Sequence, residues 1–268
     1  MDEVKISIIM GVYNAGNDNM LQNAIDSILN QSYRNFEFII CDDGSTDDTY
    51  RILKKLAVID TRIVLLQNKN NLGLAASLNK CLEASRGRYI ARMDADDVSA
   101  SNRLEEELNF LDKHNEYAFV GSGIYLFDDT GTYGKRIYEE KPERRSFLFN
   151  SPFIHPTIMI RKEALASVNG YRIARETKRM EDYDLFMRLY YYNHKGYNLP
   201  ECLYYYREDK QAFAKRKYRY RIDEAIVRYQ GFRLLKLMPI GYIYVVKPLI
   251  VGLLPNRLIR KLKKDIIY

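Results

Sequence analysis

The 268-residue sequence is short of cysteine, of glycine-rich phosphate loops and of long apolar runs, and each shortage narrows what the chain can be. Its three cysteines, Cys41, Cys81 and Cys202, are too few and too scattered for a disulfide framework or a zinc site, and they point to a reducing compartment. The opening MDEVKISIIM has two acids before its first lysine and no apolar core of signal-peptide length, so a cytoplasmic chain is expected. Neither GxGxxG nor GxxxxGKS/T occurs, so a dinucleotide-binding or P-loop reading lacks its phosphate cradle. No internal repeat or low-complexity linker is visible. What remains is ordinary globular material, 47% hydrophobic, which excludes a disordered chain and suffices for one large domain or one domain with an appendage.

Charge is unevenly spread. Residues 215–268 hold 14 Lys and Arg against three acids, a net +11, which leaves the first 214 residues at −4 although the whole chain is +7. A mildly acidic body with a basic, apolar extension is expected, and general nucleic-acid binding is not.

Short β-branched runs at Lys5–Met10, Phe36–Cys41, Arg62–Leu66 and Arg88–Met93 read as strands. Between and after them lie helical patterns: Leu21, Ala24, Ile25, Ile28 and Leu29; Ile52, Leu53 and Leu56; Leu74–Ala84; and Arg103–His114 with Leu104, Leu108 and Leu111 inward. Ser45-Thr46-Asp47-Asp48 reads as a capped start to the second helix. Such alternation predicts parallel βαβ units with helices on both faces, and ligands bound outside the carboxyl ends of the strands. Beyond residue 115, Tyr117–Phe127, Thr157–Ile160 and Cys202–Arg207 read as strands. Glu181–Tyr192 reads as a helix that clusters Leu185, Arg188, Leu189 and Tyr192.

Polar clusters fall at those strand ends. Asp94-Ala95-Asp96-Asp97 crowds three carboxylates after an apolar strand; a hard divalent cation relieves their repulsion, and a solvated loop with a helix cap is the alternative. Asp42-Asp43-Gly44-Ser45 offers acceptors for a base N–H or a ribose hydroxyl, or simply a helix start. Gly11-Val12-Tyr13-Asn14 closes the first strand, where Tyr13 is placed to line a base pocket or to pack. Glu181-Asp182-Tyr183-Asp184 opens a helix, so its acids serve either the helix dipole or a general base. His155, between Ile154 and Pro156, is a candidate ligand or phosphate contact, against the plainer reading of a packed histidine.

Taken together, these segments resemble glycosyltransferase family 2, inverting enzymes of GT-A fold that use nucleotide sugars. The likeness runs in order over about residues 4–207. Gly11-Val12-Tyr13-Asn14 resembles its P-V-Y-N, with Gly11 in place of Pro. Gln31-Ser32-Tyr33 with Phe36-Glu37, Asp42-Asp43-Gly44-Ser45-Thr46-Asp47, Asn71-Leu72-Gly73-Leu74 and Asp94-Ala95-Asp96-Asp97 follow, the last as the D-x-D. His155-Pro156-Thr157, Gly170-Tyr171 and Glu181-Asp182-Tyr183-Asp184-Leu185 resemble the acceptor-side motifs. Arg207-Glu208-Asp209-Lys210 departs from the pattern, since many relatives carry a His there. The resemblance implies a GT-A, Rossmann-like, mostly parallel sheet flanked by helices. It implies that Asp43 accepts from uracil N3, supported by Asp42 with Tyr13 beside the base. Asn14, Asn71 and Gly73 are substrate-binding, and Asp94 meets ribose or sugar. Asp96 and Asp97 hold Mn²⁺ or Mg²⁺ against the diphosphate, Asp182 is the catalytic base, and Glu181 and His155 lie on the substrate.

The expectation is a catalytic domain over 1–210 and a basic amphipathic extension over 211–268. The function expected is metal-dependent, inverting transfer from a UDP-sugar to a saccharide, free or lipid-linked, in surface polysaccharide assembly. A nucleotidyltransferase, or a basic lipid- or nucleic-acid-binding module with a degenerate enzyme body, is the alternative. In the tail, residues 215–230 read as a helix with Tyr218, Ile222, Ala225, Ile226 and Tyr229 on one face. Pro239, Pro248 and Pro255 interrupt any longer helix, and no run approaches the ~18 apolar residues of a membrane span. An in-plane anchor on an anionic membrane, peripheral to the inner face of the plasma membrane, is favoured over packing on the body or on a second copy.

Overall fold

A computed structural model of the chain describes residues 4–16, 19–208 and 218–253. Strand and helix alternate as expected at the start: β1 (Ile6–Val12), α1 (Met20–Leu29), β2 (Phe36–Asp42), α2 (Thr49–Ile59), β3 (Ile63–Gln67), α3 (Leu74–Ala84) and β4 (Tyr89–Arg92). Then follow β5 (Val98–Ser99), α4 (Arg103–Lys113), β6 (Phe119–Asp128), β7 (Gly131–Arg136), β8 (Met159–Arg161) and α5 (Lys162–Ser167). The order ends with α6 (Glu181–Tyr191), β9 (Gly196–Arg207), α7 (Arg219–Leu234) and α8 (Gly241–Leu253).

All nine strands join one mixed sheet, ordered β3-β2-β1-β4-β8-β6-β9-β5 with β7 on β6. The pairs β3–β2, β2–β1 and β1–β4 are parallel; β4–β8 and β8–β6 are antiparallel, and β6–β9 is parallel again. After β1 the chain winds outward through β2 and β3, then returns to place β4 on the other side of β1. The strand order therefore reverses between β1 and β4, and the carboxyl ends of these strands border a crevice.

Pleating sends alternate residues of β1 to opposite faces. Ile6, Ile8 and Met10 pack with α1 and α4, against Leu21, Ile25, Leu104 and Leu111. Ile9 faces the other layer, where α3, α5, α6 and α7 contribute Leu78, Leu165, Phe186 and Phe232. Gln31 and Glu37, both buried, hold this frame. Gln31 Nε2 donates to the Ala100 carbonyl (2.6 Å), and its Oε1 accepts from the Leu104 N–H (3.0 Å) at the start of α4. Glu37 accepts from Ser7 Oγ and from the Arg86 backbone, each at 2.7 Å. In this structure the Gln31-Ser32-Tyr33 and Phe36-Glu37 segments join elements of the scaffold.

Four local expectations are corrected. Ser45 does not cap α2: the helix begins at Thr49, and Asp47 takes that work by accepting from the Thr49 N–H (3.0 Å). Tyr192 lies one residue past α6 and is exposed, because Leu185 and Leu189 already fill the inward stripe. In α7 the buried face is Ala225, Val227, Arg228, Gly231 and Phe232, while Tyr218, Ile222 and Tyr229 point outward. Gly231 decides this: a Cβ there would meet Met187 Sδ at 2.1 Å, so only a glycine face lets α7 approach α6 so closely. Pro248 lies inside α8, and the break between α7 and α8 falls at Leu235–Ile240, around Pro239. Pro255 and the basic residues beyond it lie outside the described residues, as does the 210/211 boundary. With Phe232, Leu235 and Leu237 in the core layer, α7 is built into the body.

Candidate active site

Two polar groups occupy the carboxyl ends of β1, β2 and β4. The first is a knot on β2. Asp42 is fully buried and accepts from Gln67 Nε2 (3.1 Å) and the Ser45 N–H (3.3 Å). Asp43, also buried, accepts from Asn68 Nδ2 (2.8 Å) and from the Leu72 (3.0 Å) and Gly73 (2.8 Å) N–H groups. One carboxylate thus ties the Asn71–Gly73 loop to the end of β2. The side chain of Asn71 is exposed, and Gly73 has φ +92°, a conformation open to glycine. Asn14, at φ +50°, bridges to this knot: its N–H donates to Ser45 Oγ and its Oδ1 accepts from the Thr46 N–H, each at 2.9 Å. Tyr13 beside it is 48% exposed.

Gly44 closes the knot at φ +71°, and a Cβ there would stand 2.6 Å from the Asn70 backbone. Gly44→Ala is therefore expected to lower stability by about 1–3 kcal/mol and to loosen the Asn70–Gly73 loop. Denaturant unfolding checks the first effect, and proteolysis at the loop the second.

The second group gathers around a cation that the sequence reading passed over. Arg92, at the end of β4, is buried and pairs with Asp94. Burial works against its charge, and the Asp94 carboxylate outweighs burial and holds the guanidinium protonated. Its field reaches His155, Tyr171, Glu181 and Asp182. The available signal was a lone Arg in the otherwise apolar run Tyr89–Met93, directly before Asp94. Arg103, fully buried with Glu107 (2.9 Å), donates to the Arg92 carbonyl (3.0 Å) and so fixes the strand end.

The three carboxylates of the turn after β4 differ. Asp96 is exposed, yet the protein around it and Asp94 raise its carboxyl to about 6. Asp97 is buried; its Oδ1 accepts from the Arg207 N–H (2.7 Å), while its Oδ2 has no hydrogen-bond partner. Burial, Asp94 and Asp96 push Asp97 well above the usual carboxylate range. Among the described residues, no group of three or more His, Cys, Asp or Glu is placed to hold a metal ion. Asp96 and the unpartnered Asp97 oxygen are the oxygens at this turn that could join Mg²⁺ or Mn²⁺, which takes one or two carboxylates together with substrate phosphates.

Opposite them, Glu181 and Asp182 open α6. Burial, then the Asp182 charge, raises Glu181 to about 7. Burial also raises Asp182, against the Tyr183 N–H and Arg92. Asp184 is tied to Arg172 (2.9 Å) and Arg188 (2.7 Å), a brace for the helix. His155 is buried, with Nε2 2.8 Å from the Tyr171 hydroxyl. Burial and Arg92 lower it well below its ordinary value, so it is neutral. Tyr171 is held in turn by Asn79, which accepts from its N–H (2.9 Å) and donates to its carbonyl (2.8 Å).

The fold thus assembles Asp94, Asp96, Glu181 and Asp182 around Arg92. It seats Tyr13, Asn14, Asp42, Asp43, Asn71 and Gly73 in the neighbouring knot, about 10 Å away across β1 by the usual strand spacing. His155 is buried behind the Arg92 group rather than on the open surface.

A family model described as Glycosyl transferase family 2 matches residues 7–168. A protein called putative glycosyltransferase EpsE, from Bacillus subtilis, is 48% identical over 261 residues, covering 97% of this chain and 93% of its own. The O-antigen biosynthesis glycosyltransferase WbnJ of Escherichia coli is 35% identical over 205 residues, 74% of this chain and 77% of its own. Among solved structures, S. aureus TarS 1-349 in complex with UDP-GlcNAc superposes with a TM-score of 0.68 at 19% identity, over 91% of this chain and 70% of that one. That likeness is one of fold.

Proposed function

Because the chain belongs to glycosyl transferase family 2, we propose that it moves a sugar from a UDP-sugar to a saccharide hydroxyl by a single, inverting displacement. The observation that carries this reading is the facing of two carboxylate sets across Arg92: Asp94 and Asp96 at the end of β4, and Asp182 at the start of α6. The O-antigen relative and the UDP-GlcNAc bound to the structural neighbour support surface polysaccharide assembly and a UDP donor.

In this reading Tyr13 stacks beside the uracil, and Asp43 meets uracil N3–H while it orders the Asn71–Gly73 loop. Asp94, steadied by Arg92, receives ribose or sugar hydroxyls. Asp96, with Asp97 behind it, would hold Mn²⁺ or Mg²⁺, which would supply charge neutralisation at the diphosphate. Asp182 takes the proton of the acceptor hydroxyl as that oxygen attacks the anomeric carbon from the face opposite UDP. One carboxylate base with no carboxylate nucleophile gives inversion. Isothermal titration of UDP with and without Mn²⁺ tests the donor half; no metal-dependent binding would return the choice to a basic binding module.

The same reading sets the protein on a membrane surface. No helix among the described residues is long and apolar enough to cross a bilayer. In α8, however, Ile243, Val246, Ile250 and Leu253 form one outward stripe, with Leu253 74% exposed. Such a stripe beside lysines fits the acyl boundary of an anionic leaflet. A cut at residue 230 would remove Phe232 and Leu235 from the core, so point changes are the better probe. Ile243→Asp with Ile250→Asp is expected to reduce co-sedimentation with phosphatidylglycerol vesicles roughly tenfold or more, at unchanged Tm. Equal sedimentation would leave packing or self-association as the role of this face.

A further inference from the structure

One cavity lies on the far wall of the candidate base, where the C-terminal helices meet the body. Its volume is about 210 Å³, and α6 and α7 frame it with the 150–151 and 178–180 segments. That is below the ~300–1,000 Å³ of pockets that enclose whole drug-sized ligands, so it suits a compact group. Its lining carries Lys178, Arg179, Arg221 and Arg228 against Asp182 and Glu224, an excess of two positive charges.

These cations are not equivalent. Arg228 is committed to the Leu148 (3.1 Å) and Phe149 (3.2 Å) carbonyls and to Glu224 (3.1 Å), and Arg221 pairs with Glu224 (3.2 Å). Lys178 and Arg179 are exposed and pair with no carboxylate among the described residues. Arg179 lies over the Tyr220 ring, 4.8 Å from its centroid, which orients the guanidinium without cancelling its charge. Its backbone sits at φ +71°, a costly conformation for an arginine, and turns the chain into Met180 and Glu181.

We infer that this cavity is an anion subsite that binds the phosphate ester of the acceptor, with Lys178 and Arg179 as its ligands and Arg221 behind them. The word acceptor rests on the reading of Asp182 as base; the anion site rests on the cavity alone. Asp182 belongs to both places, since it lines the cavity and feels Arg92 and Asp94. An acceptor anchored by its phosphate at Lys178 and Arg179 presents a sugar hydroxyl toward Asp182. A lone carboxylate would leave the cavity positive, whereas a phosphate dianion balances it. No bond is made or broken at this subsite.

Isothermal titration of the full-length protein tests it, with hexyl phosphate, inorganic phosphate and hexanoate as probes, each with and without saturating UDP and Mg²⁺. Hexyl phosphate should bind the UDP-loaded protein more tightly than the other two. Lys178→Glu with Arg179→Gln should weaken it roughly tenfold or more, with UDP affinity and Tm unchanged, because it removes both charged donors to the phosphate. Equal binding by the double variant, or hexanoate binding as well as hexyl phosphate, overturns the subsite. Inorganic phosphate binding as tightly as the ester overturns the acceptor assignment in favour of a free-anion site. Loss of UDP binding in the wild type, with charge-dependent hexyl phosphate binding intact, would instead defeat the donor reading and leave the cavity assignment standing.

Discussion

Asp182→Asn is expected to slow sugar transfer by roughly 10²–10⁴-fold while UDP and its metal still bind. The change keeps size and shape at the start of α6 but removes the only function a base must have, an accepting lone pair of sufficient basicity. A pH profile adds a readout that a structural role would not move. A base works deprotonated, and burial raises Asp182 from its ordinary value, with Glu181 beside it at about 7. Wild-type kcat/KM should therefore be full above the raised Asp182 value and fall as pH drops through it, and Asp182→Asn should lose that acid limb. Parallel collapse of UDP binding would show that Asp182 is a structural residue.

Asp96→Asn should cost roughly 10²-fold or more in transfer with Tm unchanged, because it removes a charged oxygen from an exposed side chain. Asp97→Ala is the informative contrast. Asp97 accepts from the Arg207 N–H and is buried, so its removal should lower stability by about 1.5–3 kcal/mol as well as activity. Turnover, Mn²⁺ titration and thermal melts on the two variants separate a ligand from a brace. Wild-type turnover in Asp96→Asn with intact metal binding would remove Asp96 from the metal assignment.

The first half of the fold was legible because its code is local. Runs such as Ile6–Met10 and Phe36–Cys41 announce buried parallel strands, and the spacing of Leu104, Leu108 and Leu111 announces a helix face. A βαβ chain also has one favoured hand, so alternation by itself implies a ligand edge at the strand ends. The sequence also marked the acidic clusters at those ends, since charge massed after an apolar strand is costly without a purpose.

What it could not separate were residues of one type in different surroundings. Asp96 and Asp97 are neighbours of equal chemistry; only the path of β9, which brings the Arg207 N–H to Asp97, buries one and leaves the other open. Arg92 reads as an ordinary strand residue until the fold packs His155, Tyr171 and α6 around it. The tail shows the same limit. Amphipathic spacing put Tyr218, Ile222, Ala225, Ile226 and Tyr229 on one face, but with Gly231 against Met187 and Arg228 buried, Ala225 faces the body while Tyr218, Ile222 and Tyr229 face outward. A periodic pattern reports how apolar a face is. Which face is covered depends on close approach and on buried hydrogen bonds between segments far apart in the chain, and those exist only in the tertiary structure.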